Sequence, residues 1–178
     1  GPLRPWVTDF ATHSLLRLTP DGQYVLATDD DFVGPAFVAV DASDGSVWVT
    51  DTFRETVAHY ADGRRSDLDF AFIRPTGVAV HAASHVAWVC DEGRDQVLPF
   101  NRLGLPGDPP AVAIAVQTPV AVAVDPNDGS LWVCERATGR VRHFTPAGAD
   151  LGATPLAAPS RVAVDSLTRE AWASSFDS

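Results

Sequence analysis

The 178-residue chain has 23 acidic and 13 basic residues, a net charge of −10, which opposes non-specific binding to nucleic acid or to an anionic membrane because both need a basic surface. All 13 basic residues are arginine, which excludes Schiff-base chemistry by lysine. Hydrophobic residues make up 46% of the chain and no stretch has the pattern of a membrane span, so we expect one globular domain with no nucleic-acid partner and no membrane insertion.

An internal repeat runs through the whole chain. Its five tryptophans are separated by 42, 40, 44 and 40 residues, and four prolines each lie 13 residues before a tryptophan. The tryptophans are Trp6, Trp48, Trp88, Trp132 and Trp172, and the prolines are Pro35, Pro75, Pro119 and Pro159. Constant spacing predicts a rigid, packed structural unit. The predicted units are 6–34, 35–74, 75–118, 119–158 and a partial unit 159–178.

Each unit has the pattern of consecutive β-strands. An apolar run such as 37–41 follows the proline and predicts a strand buried on both faces. A turn leads to a strand that carries the tryptophan, such as 47–50, and this strand ends at an acidic residue in four units. A third strand such as 57–60 follows. A fourth, weakly patterned strand such as 24–27 is typical of an outer edge.

These strands predict an all-β protein, a β-propeller of four-stranded antiparallel blades with about four repeats of 40–44 residues. One sheet cannot bury two apolar faces alone, but radial stacking buries each sheet against the next. The chain both starts and ends on a tryptophan strand, so closing the ring within one chain would set two such strands in competition. We therefore expect an incomplete ring, completed by further blades or by other copies.

The bulky and thiol side chains are predicted to lie in the core. Each tryptophan is expected to pack over the apolar proline strand of a neighbouring blade, because facing sheets lie about 10 Å apart and need filling. Cys90 and Cys134 occupy equivalent positions in consecutive units. Their Cα atoms would then be further apart than the roughly 7 Å that a disulfide tolerates. Two free, buried thiols are predicted.

The fourth unit shows a family resemblance most clearly, in residues 119–125, 131–133 and 141–144 and in Gly148. It resembles the NHL repeat, and it is similar to blades of the YncE-like, virginiamycin B lyase-like and SMP-30/gluconolactonase-like propellers. The resemblance covers essentially the whole chain. It implies a propeller fold, but these families include binding proteins, sensors, lyases and lactonases, so it implies no single activity.

The resemblance also implies a ligand-binding face. In such propellers the loop after the tryptophan strand and the loop entering the proline strand lie around one channel mouth. The loops after the tryptophan strands would contribute Arg54, Arg94 and Arg136, and the entries to the proline strands would contribute Phe37, Arg74 and Arg161. The alternative is that these are solvated loops with local ion pairs.

No metal or cofactor site is expected from the sequence. The acidic residues that end the tryptophan strands are expected to cap turns by accepting backbone hydrogen bonds rather than to form a metal-binding ring. They are Asp9, Asp51, Asp91 and Glu135. The acidic run 29–31 is expected to be solvated, and the loop 125–129 to be a hairpin turn rather than a calcium loop. His81 and His85 flank a turn, so their spacing does not place them on one face.

The favoured function is a noncatalytic binding module that takes a protein, peptide or glycan ligand on the loop face. No zinc-protease helix, nucleophile elbow, phosphate-binding glycine loop or paired-cysteine motif is present in the sequence. One alternative is a fragment of a propeller lyase or lactonase, whose site is assembled from isolated residues. Another is a structural piece that completes a ring by self-association.

Overall fold

The computed structural model describes residues 5–107 and 112–176, and these form antiparallel sheets with one short 3₁₀ helix, Glu92–Arg94. Residues 177 and 178 of the last predicted unit lie outside the described part. The strands are β1 (Trp6–Asp9), β2 (Ser14–Leu18), β3 (Val25–Asp29), β4 (Pro35–Val40), β5 (Val47–Asp51), β6 (Thr56–Ala61), β7 (Arg64–Asp67), β8 (Pro75–His81), β9 (Val86–Asp91), β10 (Gln96–Phe100), β11 (Ile114–Ala115), β12 (Pro119–Val124), β13 (Leu131–Glu135), β14 (Arg140–Phe144), β15 (Asp150–Pro155), β16 (Pro159–Val164) and β17 (Ala171–Ser175). No helix among the described residues is long and apolar enough to cross a membrane.

The strands form five sheets in chain order, which we call blades 1 to 5. Blades 2, 3 and 4 each have four strands in sequential order, β4–β7, β8–β11 and β12–β15. The proline strand lies at one edge and the weakly patterned strand at the other, as predicted. Blade 1 contains β1–β3 without a proline strand, and blade 5 contains β16 and β17. Within the described residues blades 1 and 5 do not pair, so the fold is an open propeller.

Consecutive blades stack through their proline strands. Burial on both faces, as predicted from the apolar runs, is complete only in β12, where Pro119 to Ala123 are all buried. In β4 the residues after Pro35 are partly buried or exposed, and in β16 Arg161 and Ala163 are exposed. A register shift follows each of the four prolines, so the second residue after each proline lies beside a local bulge. At Gly77 the backbones of blades 3 and 4 lie so close together that a side chain would not fit. A Cβ there would lie 2.7 Å from the Cα atom of Ala121 in blade 4.

The tryptophans point toward the following blade. Trp48 packs against Val78, Ala87 and Val89 of blade 3, and Trp88 has the same relation to blade 4. Both indoles are only 1% exposed. Trp48 also stacks on His59, its neighbour on the third strand, at 4.1 Å between ring centroids.

The prediction that all five tryptophans lie in the core is wrong for Trp172, which is 68% exposed. Trp172 is exposed because each tryptophan packs against the following blade, and no blade follows blade 5 among the described residues. Trp6 and Trp132 are partly buried. Cys90 and Cys134 are free and buried, as predicted, and burial raises the pKa of the Cys134 thiol to about 11.

The outer edge is shortest in blade 3, where β11 has only two residues. It pairs with Gln96 and Val97 of β10 and goes no further. Pro99 lies just beyond this point on β10 and has no backbone N–H to donate, which agrees with the poor pairing predicted at that residue.

Candidate functional site

The antiparallel strand order places two sets of loops at one end of the blades. The loops that follow the tryptophan strands and the loops that enter the proline strands form this end, which we call the upper face. The hairpin turns between proline strand and tryptophan strand lie at the opposite end, the underside. Of the six predicted site residues, Arg54, Arg74, Arg94 and Arg136 belong to these upper loops. Phe37 and Arg161 lie within the first half of β4 and β16, the half nearer the upper face.

Buried carboxylates join the two sets of upper loops. Asp51 ends β5 and accepts hydrogen bonds from the backbone N–H groups of Val33 and Gly34, both at 2.7 Å, and from that of Arg54 at 3.1 Å. The Asp51 side chain is fully buried. It therefore pins the loop entering blade 2 to the loop that leaves its tryptophan strand.

The same device recurs around the ring. Asp91 accepts from the N–H of Ile73 at 3.0 Å, and Glu135 accepts from that of Gln117 at 2.9 Å. Asp9 caps its own turn through the N–H of Ala11 at 2.9 Å. The prediction that these acidic residues cap backbone amides is confirmed. Burial raises the pKa of the Asp91 carboxyl to about 6.

This raised pKa has a consequence for stability that can be measured. An unfolded aspartate titrates near 3.8, so the folded chain alone holds the Asp91 proton between about pH 4 and 6, and charging this residue costs stability as the pH rises through that window. An Asp91→Asn variant carries no such charge. We expect its stability relative to the wild type to rise between pH 4 and pH 7, by on the order of 1 kcal/mol per pKa unit of the shift.

Urea denaturation at pH 4 and pH 7 measures this difference. The free energy of unfolding of the variant minus that of the wild type should be larger at pH 7 than at pH 4, because only the wild type loses stability as its carboxyl ionises. A stability difference that stays constant across the two pH values would contradict the assignment of Asp91 as a carboxyl whose pKa is raised by burial.

Two of the predicted arginines brace the upper loops. Arg54 donates to the Asp31 carboxylate at 2.8 Å and lies 3.9 Å from Asp51. Arg94 lies 3.3 Å from the Asp91 carboxylate and donates to the backbone oxygen of Ala71. Both are therefore engaged in the local ion pairs that the sequence offered as the alternative interpretation. A ligand would have to compete with these contacts.

The acidic run at the entry to blade 2 is also paired. Asp29 accepts a hydrogen bond from the Tyr60 hydroxyl and lies 3.3 Å from the Arg65 guanidinium. Asp31 lies 3.5 Å from the same guanidinium as well as contacting Arg54. The expectation of a solvated run holds for Asp30 and Asp31, which are exposed. It is wrong for the partly buried Asp29, because Arg65 reaches that carboxylate from the β7 strand of blade 2.

Arg74 and Arg136 converge on one carboxylate that the sequence did not single out. The side chain of Glu92, only 9% exposed, lies 3.3 Å from Arg74 and 3.6 Å from Arg136. Arg74 enters blade 3 and Arg136 follows the tryptophan strand of blade 4, so Glu92 bridges two blades. One buried carboxylate thus serves two guanidinium groups that are 58% and 47% exposed.

Phe37 and Arg161 meet at the inner edge of the blades. They occupy the second position after the proline in blades 2 and 5, and the Arg161 guanidinium lies 4.3 Å from the centroid of the Phe37 ring. This is a cation–π contact between blades far apart in sequence. Phe37 also packs against the buried cluster of blade 4 that contains Val120, Ala121, Cys134 and Val141.

An exposed aromatic pair lies on the same face and was missed from the sequence. Phe10 and Phe53 are 51% and 63% exposed, and their rings contact edge to face at 5.4 Å between centroids. Each follows the acidic end of a tryptophan strand, but at a different offset, so the repeat pattern gave no signal for them. Val33 and Ile73, from the loops entering blades 2 and 3, are also exposed there.

The upper face therefore combines exposed guanidinium groups with exposed apolar side chains. Arginine and aromatic residues are the side chains most enriched where proteins bind one another. A guanidinium presents several donors in a fixed fork that matches a carboxylate. The described inner-strand positions equivalent to Phe37 are Gly77, Ala121 and Arg161, which hold neither a carboxylate nor an amide side chain.

Neither a protein-family model nor a curated protein sequence matches this chain. Solved structures do share its fold. Virginiamycin B lyase from Staphylococcus aureus superposes with a TM-score of 0.70 at 16% identity, over 91% of this chain and 56% of the lyase. The structure of a nidogen/laminin complex gives 0.77 at 19% identity, over 90% of this chain and 64% of the matched chain.

A gluconolactonase from Xanthomonas campestris gives a TM-score of 0.75 at 20% identity, over 97% of this chain and 65% of the enzyme. All three are β-propeller structures of the kind that the sequence resemblance indicated, so the β-propeller fold is shown. The chain spans between about half and two-thirds of the length of these structures. At such low identity the likeness concerns the fold and not the activity.

Proposed function

We propose that this chain is a noncatalytic propeller module whose upper face binds an acidic peptide segment of another protein. The observation that carries the proposal is the sharing of Glu92 by Arg74 and Arg136: among the described residues, these two exposed guanidinium groups have this one carboxylate between them. A carboxylate from a ligand would complete this ion-pair network.

Arg161 adds a further cationic group. Its guanidinium lies over the Phe37 ring and donates to the backbone oxygen of Ser160 at 2.8 Å. Its other N–H groups donate to no residue within 5–107 and 112–176, so they could donate to a ligand's carboxylate. The net charge of the chain is −10, so an acidic ligand would be repelled by most of its surface and directed to these arginines.

The exposed aromatic pair favours a protein partner over an isolated ion. Phe10 and Phe53 offer apolar area on the same face as the arginines, and buried aromatic anchors supply most of the affinity at many protein interfaces. The nidogen/laminin structure is a complex between proteins, which is in keeping with protein binding by a propeller of this fold.

A propeller lyase or lactonase fragment is the alternative, and the fold likeness includes both a lyase and a gluconolactonase. The inner-strand residues weigh against it for the described blades, because Phe37, Gly77, Ala121 and Arg161 offer no carboxylate or amide ligand at the axis. Self-association through the exposed Trp172 face is the structural alternative.

The proposal is tested with a random peptide display library, followed by a synthetic peptide of the enriched sequence. We expect enriched peptides to contain aspartate and glutamate, and their affinity to fall as salt is raised. An Arg74→Gln, Arg161→Gln double variant should bind the synthetic peptide at least ~10-fold more weakly, since each lost charge-assisted contact is worth about 1.5–3 kcal/mol.

A charge-matched control is available on the underside. Arg64 and Arg102 are exposed and lie near the turns between third and fourth strands, away from the upper face. An Arg64→Gln, Arg102→Gln variant changes the net charge equally and should keep the wild-type affinity. Equal binding by the upper-face variant, or enrichment of peptides without acidic residues, would refute the proposal.

A further inference from the structure

The underside holds a cluster of metal-ligating side chains between blades 2 and 3. Asp41 and Asp44 lie in the hairpin turn of blade 2, and His85 lies in the corresponding turn of blade 3. The Nδ1 atom of His85 is 2.9 Å from an Asp41 oxygen and 3.8 Å from an Asp44 oxygen. Together the three residues can offer one ligand atom each within 4.8 Å of one another.

The sequence analysis did not place His81 and His85 on one face, because the two residues flank a turn. In the structure the Nδ1 atom of His81 contacts the Ser84 hydroxyl at 2.8 Å within the same turn. The partners of His85 come from the preceding blade, more than forty positions earlier in the chain, and only the stacking of blades brings them together.

The equivalent residues of the other blades provide an independent observation about the Asp41, Asp44 and His85 cluster. The fifth residue of each underside turn has a left-handed backbone, and these residues are Gly45, His85, Gly129 and Arg169. Arg169 of blade 5 reaches back to the preceding blade, where it lies 2.7 Å from Asp125 and also contacts Asp128. Asp125 and Asp128 are the blade 4 equivalents of Asp41 and Asp44.

Blades 4 and 5 thus hold a full cation between two carboxylates at this junction. At the equivalent junction of blades 2 and 3 the two carboxylates face an imidazole, which carries no charge when neutral. The Asp41 side chain is only 2% exposed there. A buried carboxylate needs a compensating charge, and the imidazole nitrogen is a metal ligand that the guanidinium of Arg169 cannot be.

We propose that Asp41, Asp44 and His85 bind a zinc ion between blades 2 and 3. An imidazole nitrogen with two carboxylate oxygens suits zinc, whereas calcium and magnesium prefer oxygen ligands alone. Zinc ligands at about 2.0–2.2 Å in tetrahedral geometry are roughly 3.3 Å apart. The two measured separations from the His85 Nδ1, 2.9 and 3.8 Å, lie on either side of this value.

Ser43 would orient the site. Its backbone N–H donates to the Asp41 carboxylate at 2.9 Å, and its hydroxyl donates to the same oxygen. The second Asp41 oxygen is the one that faces His85 and would face the metal. Zinc would take the place of the hydrogen bond between His85 and Asp41, and it would link blade 2 to blade 3 as Arg169 links blade 4 to blade 5.

The experiment is calorimetric titration of the full chain with zinc chloride at neutral pH, together with thermal melts. We expect one zinc per chain and a Tm raised by saturating zinc. A His85→Arg variant places a guanidinium between two carboxylates, as Arg169 does at the junction of blades 4 and 5. It should therefore fold but lose zinc binding and the zinc-dependent rise in Tm. Asp44→Asn should lose zinc binding as well.

Two further variants locate the site. An Arg169→His variant recreates the cluster at blades 4 and 5, so it should bind a second zinc ion. His81→Gln removes a histidine from the same turn as His85 and should bind zinc as the wild type does. Absence of zinc binding by the wild type, undiminished binding by His85→Arg, or loss of binding in His81→Gln would overturn the proposal.

Discussion

Replacing Trp88 with alanine is expected to lower the free energy of unfolding by about 3–5 kcal/mol, the usual cost of truncating a fully buried large aromatic side chain. The indole is 1% exposed and packs against Val122, Leu131 and Val133 of blade 4. Its removal leaves a cavity between two sheets, and the stacked strands cannot collapse around it without losing their pairing.

Trp172→Ala is the matched control, because Trp172 has the equivalent position in its blade but is 68% exposed. Its substitution should change the free energy of unfolding by no more than about 0.5 kcal/mol. Guanidinium chloride denaturation of both variants makes the comparison. Similar losses of unfolding free energy for the two variants would contradict the packing of each tryptophan against the following blade. A loss for Trp172→Ala that grows with protein concentration would show that a second copy covers that face.

Replacing Gly77 with valine is expected to destabilise the chain by about 3 kcal/mol, at the upper end of the usual cost of overpacking. The new Cβ would lie 2.7 Å from the Cα of Ala121 and 2.9 Å from the backbone nitrogen of Val122. Both are backbone atoms of β12, so no side-chain rotation relieves the clash. Blades 3 and 4 would have to separate at their inner edge.

Ala163→Val provides the control for this prediction. Ala163 lies on the proline strand of blade 5, and its added methyl groups would project into exposed space rather than onto another blade. Chemical denaturation of the two variants should therefore show a large loss for Gly77→Val and almost none for Ala163→Val. An unchanged stability of Gly77→Val would mean that blades 3 and 4 do not approach as closely as the structure has them.

The architecture could be predicted from the sequence because the repeat is carried by a few bulky or restricted residues. Proline, tryptophan and an acidic strand end recur at constant spacing, and each has one physical role in every blade. The strand order within a blade could also be predicted. An apolar strand is expected at the crowded inner edge of a blade, and a strand with a weak hydrophobic pattern is expected at the outer edge. The exposure of Trp172 was not predictable in the same way, because burial depends on the next blade as well as on the residue.

The capping role of Asp51 could be predicted because it is local to one blade entry. The contacts that define the upper face are different. Glu92 meets Arg74 and Arg136 from two blades, and Phe37 meets Arg161 across the inner edge. Such contacts depend on the radial arrangement of the sheets, which a repeat period does not specify. The cluster of His85 with Asp41 and Asp44 escaped sequence reasoning for the same reason.

Because each tryptophan packs against the following blade, the order in which the blades are synthesised affects how much apolar surface is exposed during translation. A ribosome releases the N-terminal blades first, and each later blade covers the tryptophan of the one before it. A growing chain of this fold therefore exposes the indole of its most C-terminal blade alone. Its exposed apolar surface does not increase as more repeats emerge.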